Sequence, residues 1–209
     1  MTGYFVTGTD TNVGKTVLSA LLVAALDAVY WKPVQTGASE GNDREAVRQW
    51  AGATEELLPL ERYRFDPPIS PHLASREAGV RIALDAFEFP EAPAGRRWIV
   101  EGAGGVMVPL NERDLMRDLM RTIGFPVIVA ARTSLGTINH TLLTLASLRD
   151  AQLPICGVAL VGDQNIENRR AIEHFGNVRV IGHIPKLENI DRVTLLGIYE
   201  KYFNHQVFQ

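Results

Sequence analysis

The stretch Gly8-Thr9-Asp10-Thr11-Asn12-Val13-Gly14-Lys15-Thr16 decides how this chain is read. The short apolar run Tyr4-Phe5-Val6 precedes it, and an apolar segment from Val17 to Val29 follows. Strand, glycine loop and helix is the order a phosphate-binding loop requires. Glycines let successive backbone N–H groups turn inward around an anion, and the helix start adds unpaired N–H groups and a positive dipole end. Lys15 is placed to reach the β- and γ-phosphates, and the Thr16 hydroxyl to ligate Mg²⁺. The common pattern holds about four residues between its glycines, whereas Gly8 to Gly14 encloses five, with Thr9 where the first glycine would stand. The loop is therefore a variant. A bare glycine turn with an incidental lysine competes, but it leaves the order of strand, Gly-Lys-Thr and helix unexplained.

Composition bounds the rest. A chain of 209 residues with 46% hydrophobic content can bury the core of one large domain. A net charge of −3 gives no basic footprint for nucleic acid. Cys156 is the single cysteine, so no disulfide framework exists and a reducing compartment is the simplest inference. Its apolar surroundings, Leu153 to Leu160, suit a strand residue better than a nucleophile. The first strand begins without a charged leader, and no uncharged apolar run is long enough for a bilayer. The expectation is a cytoplasmic protein with no membrane partner.

In chain order, Thr16 to Ala28 reads as a buried helix, apolar nearly all round. Val29-Tyr30-Trp31 is a strand ending at Lys32-Pro33-Val34-Gln35-Thr36-Gly37. In an open parallel sheet, ligands bind beyond the carboxyl ends of strands. Lys32 either faces the same phosphate as Lys15 or is a surface lysine at a turn. Asp43 to Ala51 looks helical, with Asp43 at its start, where capping is the ordinary role of such a residue. Pro59 to Pro71 is an ordered, proline-rich loop, and His72 behind it reads as structural. Trp98-Ile99-Val100 is a strand running into Glu101-Gly102-Ala103-Gly104-Gly105. An acid ending an apolar strand beside a phosphate loop suits Mg²⁺ binding, directly or through water.

Arg113 to Ile123 reads as a helix, and Pro126 to Ala131 as a buried strand. A further helix then runs to Arg149. Near its start, Thr137, Asn139 and Thr141 form either a second anion-binding end or plain caps. Strands at Ile155 to Val161 and Val178 to Ile181, a helix through His174 and a closing helix from Val193 to Tyr202 complete the pattern. Alternating strands and helices imply an α/β fold, a mostly parallel sheet covered on both faces, in one domain over residues 1–209.

Four segments together resemble the dethiobiotin synthetase family: Gly8 to Thr16, Lys32 to Gly37, Val100 to Gly105, and Leu135-Gly136-Thr137-Ile138-Asn139-His140. They occur in the family's order, and the five-residue glycine gap is the family form. The resemblance implies a P-loop NTPase-like domain in a homodimer. The reaction it implies is ATP- and Mg²⁺-dependent joining of CO₂ to 7,8-diaminononanoate, closing the ureido ring of dethiobiotin. Lys15 and Lys32 would hold the γ-phosphate and carbamate, with Thr16, Asp43 and Glu101 placing Mg²⁺. ATP contacts are implied at Asn12, Val13, Gly14 and Val17, and at Gly102, Ala103 and Gly104. Val161, Gly162, Pro185, Lys186 and Leu187 would border the base. Thr11 and Thr36 would lie near the diamine, and Gly136, Thr137 and Asn139 would cap its carboxylate from the partner subunit.

The chain departs from the family where Leu160-Val161-Gly162-Asp163 ends a strand, since similar chains carry an adenine-reading Asn there. Two alternatives compete. ParA- or MinD-like partitioning ATPases place a second lysine early in the loop, where this chain has Asp10. Cobyrinate-type amide synthases usually add a glutaminase domain, for which this chain is too short.

Overall fold

The run Gly3–Gly8 forms β1, the strand from which the phosphate loop hangs, and α1 follows at Lys15–Leu26. The computed structural model describes residues 1–209. After α1 come β2 (Val29–Trp31), β3 (Val34–Gln35), α2 (Asp43–Ala51), β4 (Tyr63–Arg64) and α3 (Pro71–Glu77). The second half contains β5 (Trp98–Gly105), α4 (Met116–Ile123), β6 (Val127–Arg132), α5 (Thr137–Asp150) and β7 (Ile155–Val161). The chain closes with α6 (Ile166–Gly176), β8 (Val180–Ile184) and α7 (Arg192–Tyr202).

Six strands form one sheet in the order β2-β5-β1-β6-β7-β8, and every pairing is parallel. Parallel strands need crossovers, and helices supply them on both faces. The side-chain period of two divides the core. Phe5, Val100, Val127 and Val129 pack with α4, α5 and α6 residues such as Leu119, Leu145 and Ile172. Val6, Tyr30, Ile99 and Ile128 pack against α1, α2 and α7 through Leu18, Val47 and Leu195. The expected doubly covered α/β fold is present, with β3 and β4 adding a separate two-stranded parallel ribbon. No helix is long and apolar enough to cross a membrane.

Several boundaries differ from the sequence reading. β5 does not stop at Glu101 but continues through the glycines to Gly105, which pairs with Gly8. Those glycines serve close packing: a Cβ on Gly102 would stand 2.9 Å from the Phe5 ring. Arg113 to Leu115 is not helical. The Asn111 side chain holds the amides of Arg113 and Asp114, and α4 begins only at Met116. β8 runs past Ile181 because His183 and Ile184 pair with Leu160 and Val161. The Pro59–Pro71 loop contains β4, and α3 starts at Pro71.

Candidate active site

Beyond the carboxyl ends of β1, β2 and β5 lies a cavity of about 760 Å³, walled by the phosphate loop, α2 and the Pro68–Pro71 segment. Open parallel sheets bind ligands at this end. The loop's shape comes from its backbone: Asn12 has φ 55° and Gly14 φ 91°, both left-handed. A side chain on Gly14 would be strained, and its Cβ would meet Val161 Cγ1 at 2.8 Å. Lys15 and Thr16 open α1, and Gly14 caps it without a side chain, leaving the helix's first amides free for an anion.

Lys32 lines the same cavity as Lys15. It is a buried residue, 5% exposed, and not a surface turn lysine. Its Nζ donates to Glu101 Oε1 at 3.0 Å and forms an ion pair with Asp43. Glu101 is 0% exposed and gathers three donors. Tyr30 Oη donates to its Oε2 at 3.1 Å, while Lys32 and the Thr16 hydroxyl, at 3.1 Å, meet Oε1. Thr16 Oγ1 also lies 3.0 Å from Asp43 Oδ1. Asp43 is free for this contact because Asn42 takes the capping role, accepting from Arg44 N and Glu45 N.

The electrostatics follow from crowding. Burial lowers the Lys15 pKa, and the neighbouring Lys32 cation adds to this, although Glu101 pulls the other way. Burial would also lower Lys32, but Glu101 and Asp43 outweigh it and raise the pKa. Asp43 is held below its ordinary value because the Lys32 cation overcomes the opposing effect of burial. Tyr30 is pushed well above its ordinary value by burial and then by the Glu101 and Asp43 charges, so it stays a donor. Lys15 Nζ donates to the Asp10 carbonyl at 2.8 Å, within its own loop.

Other expected site residues divide into four groups. Thr11, Asn12, Val17, Thr36, Ala103 and Gly104 line the cavity with the central residues. Val13 and Gly102 lie behind it, packed into the core or against Phe5. Gly136, Thr137 and Asn139 are outside the cavity of their own chain. Thr137 is buried and donates to Arg132 O, tying the start of α5 to the end of β6, whereas Asn139 is exposed. Val161 packs behind Gly14, and Pro185 to Leu187 also stand apart from the cavity. Lys186 pairs with Asp163 at 2.6 Å.

Sequence reasoning missed Tyr30, Gln35 and Trp50. Tyr30 lies two positions before Lys32 on an extended segment, so both face the same way, a signal that was available. Gln35 Oε1 accepts from Asp43 N at 3.4 Å and so fixes the start of α2. Trp50 is seven residues after Asp43, two helical turns along the same face, and it lines the cavity.

A P-loop beneath paired lysines and acids, at the carboxyl edge of a parallel sheet, defines a nucleotide-dependent phosphoryl-handling enzyme. The family model described as an AAA domain matches residues 2–194. An ATP-dependent dethiobiotin synthetase of Rhodopseudomonas palustris (strain BisB18) is 45% identical, covering 97% of this chain and 96% of the relative. The protein of that name from Paramagnetospirillum magneticum is 48% identical, covering 95% of each. The chain belongs to the dethiobiotin synthetase family. A ParA family ATPase from Chlorobium tepidum is similar in structure, with TM-score 0.51 and 12% identity over 96% of this chain and 93% of the other, a likeness of fold alone.

Proposed function

We propose that the protein is a ligase of biotin biosynthesis: it uses ATP to join CO₂ to 7,8-diaminononanoate and close the dethiobiotin ring. The observation that carries this is the convergence of Lys15, Lys32, Thr16, Asp43 and Glu101 on one cavity. A neutral amine of the substrate adds to CO₂ and becomes a carbamate. A carbamate oxygen attacks the γ-phosphorus, and ADP leaves, giving a carbamic–phosphoric anhydride. The second amine attacks the carbonyl carbon, phosphate departs, and the ring closes.

Negative charge gathers on oxygen at each step, so fixed cations and positioning do most of the catalytic work. Lys15 and the free amides of α1 hold the phosphates. Lys32, fixed by Glu101 and Asp43, supplies a preorganised cation for the carbamate and transferring phosphoryl oxygens. The crowded lysines keep nearby substrate amines neutral by like-charge repulsion. Thr36 and Thr11 face the diamine.

The hydroxyl of Thr16 with the carboxylates of Asp43 and Glu101 is an all-oxygen set that fits Mg²⁺, which takes one or two carboxylates plus substrate phosphates. When bound there, the ion supplies charge neutralisation on the phosphates. A homodimer would bring the exposed Asn139 and the Gly136 helix start to a neighbouring subunit's cavity to hold the substrate carboxylate.

Incubating the protein with 7,8-diaminononanoate, bicarbonate, ATP and Mg²⁺ should yield dethiobiotin and phosphate in equal amounts. Phosphate release that is independent of the diamine, with no dethiobiotin, would refute the reading and favour a switch ATPase.

A further inference from the structure

The three tryptophans of the chain have different surroundings. Trp31 and Trp98 are buried, 1% and 5% exposed, and pack with Phe89 in the core. Trp50 is half-buried on the wall of the active-site cavity, apart from any aromatic partner, and its indole N–H makes no hydrogen bond within the protein. Its inner edge rests on the core formed by α1, α2 and α7. An ordered aromatic face beside a phosphate loop is the kind of surface on which a base or sugar packs.

Polarity along the cavity selects the ligand. Lys32 and Glu101 mark where the terminal phosphoryl group reacts, and Thr36, on the side read above as facing the diamine, lines the cavity with them. The nucleoside must leave in the opposite direction, because the transferred group faces its acceptor. Val17, directly after the phosphate loop's Thr16, also lines the cavity, as do Ala46 and Trp50, one and two turns beyond Asp43 along α2. The end of α2 is tied to the start of α7, since Arg192 Nη1 donates to Ala51 O at 2.7 Å.

We infer that Trp50 is a binding residue for the nucleoside part of the nucleotide, a stacking wall on the α2 side of the cavity. This rests on the nucleotide reading above and deepens it. A stacking wall has no donor–acceptor code, so it holds a base without reading it.

The test is ADP–Mg²⁺ titration of the full-length protein, followed by tryptophan emission and by calorimetry. Emission should change in the wild type and stay flat in Trp50→Phe, which keeps an aromatic face and binds ADP within about threefold of wild type. Trp50→Ala should weaken ADP by about tenfold or more, the scale of one lost base stack, with the KM for the diamine unchanged. Unaltered ADP affinity in Trp50→Ala overturns the inference, as does a surviving emission change in Trp50→Phe. A raised diamine KM with normal ADP affinity overturns it too, placing Trp50 on the acceptor side. A wild type that binds ADP and makes dethiobiotin while Trp50→Ala binds normally sinks this inference alone. A wild type that binds no nucleotide sinks the functional reading itself.

Discussion

Replacing Lys32 by alanine tests both the catalytic and the structural sides of the site. The change removes the cation from between Asp43 and Glu101, leaving Glu101, 0% exposed, with only the Tyr30 and Thr16 hydroxyls. Removing one member of a buried ion pair typically costs about 3–5 kcal/mol, because the remaining charge is uncompensated. The adjoining cavity admits water to the vacated space, so the lower end of that range applies. For a chain of this size, about 3 kcal/mol corresponds to a fall in Tm of roughly 6–12 °C.

The deficit has a pH signature. Asp43 is held below its ordinary 3.8, so its contribution is present above the unfolded value and is lost as pH falls through the folded one. Lys32 is held above 10.5, so its contribution is complete below that value and is lost as pH rises through the folded one. The gap in stability between wild type and variant should be widest from about pH 4 to 10 and narrow beyond both limits. Urea denaturation across that range measures it, and single-turnover assays of the folded variant should show ring closure slowed by about 10²–10³ or more. ADP should still bind through Lys15 and the loop amides. A variant within about 1 kcal/mol of wild type with near-normal turnover would refute the argument.

Tyr30→Phe should lower stability by about 1–3 kcal/mol, since Glu101 Oε2 loses its donor in a dry setting; chemical denaturation checks it. Gly14→Ala should abolish detectable nucleotide binding, because the left-handed loop and the Val161 contact leave no room for a methyl group; calorimetry with ADP decides. Base selectivity should be weak: Val161 packs behind the loop and Asp163 is engaged by Lys186, leaving no side-chain amide for the base. Comparing kcat/KM for ATP, CTP, GTP and UTP tests this, and a thousandfold lead for ATP, beyond the ~1–3 kcal/mol of one polar contact, contradicts it. Mixing inactive Lys15 and Asn139 variants should restore activity through hybrid dimers; no recovery despite proven subunit exchange places each site within one subunit.

The fold was legible because each strand carries β-branched or aromatic residues and each crossover a helical pattern, with the phosphate loop fixing polarity. The central acids and lysines were legible as residue types at strand ends. Their arrangement was less so. Glu101 sits inside β5, because glycines that read as a turn are instead close-packing positions against Phe5. Asp43 looked like a cap, and only the neighbouring Asn42 frees it. Along α5, Leu145 and Leu148 pack into the chain's own core, leaving Asn139 and Leu143 facing outward. Such long-range choices depend on which helix face meets the sheet, which a local pattern does not specify.

The position of β1 also governs how the chain is made. Phe5 is flanked by Val100 on one side and Val127 on the other, so the first strand acquires both neighbours only after most of the chain exists. At roughly 5–20 residues per second, β1 and its loop wait about 6–25 s on the ribosome before β6 emerges. Until β5 emerges both edges of this apolar strand are unpaired, and until β6 emerges one still is, a state prone to wrong partners. Folding is slow for the same reason, since the entropy of closing those long loops must be met before any sheet contact forms. The nucleotide cradle thus takes shape late, although its residues precede those of β5 and β6 in the chain.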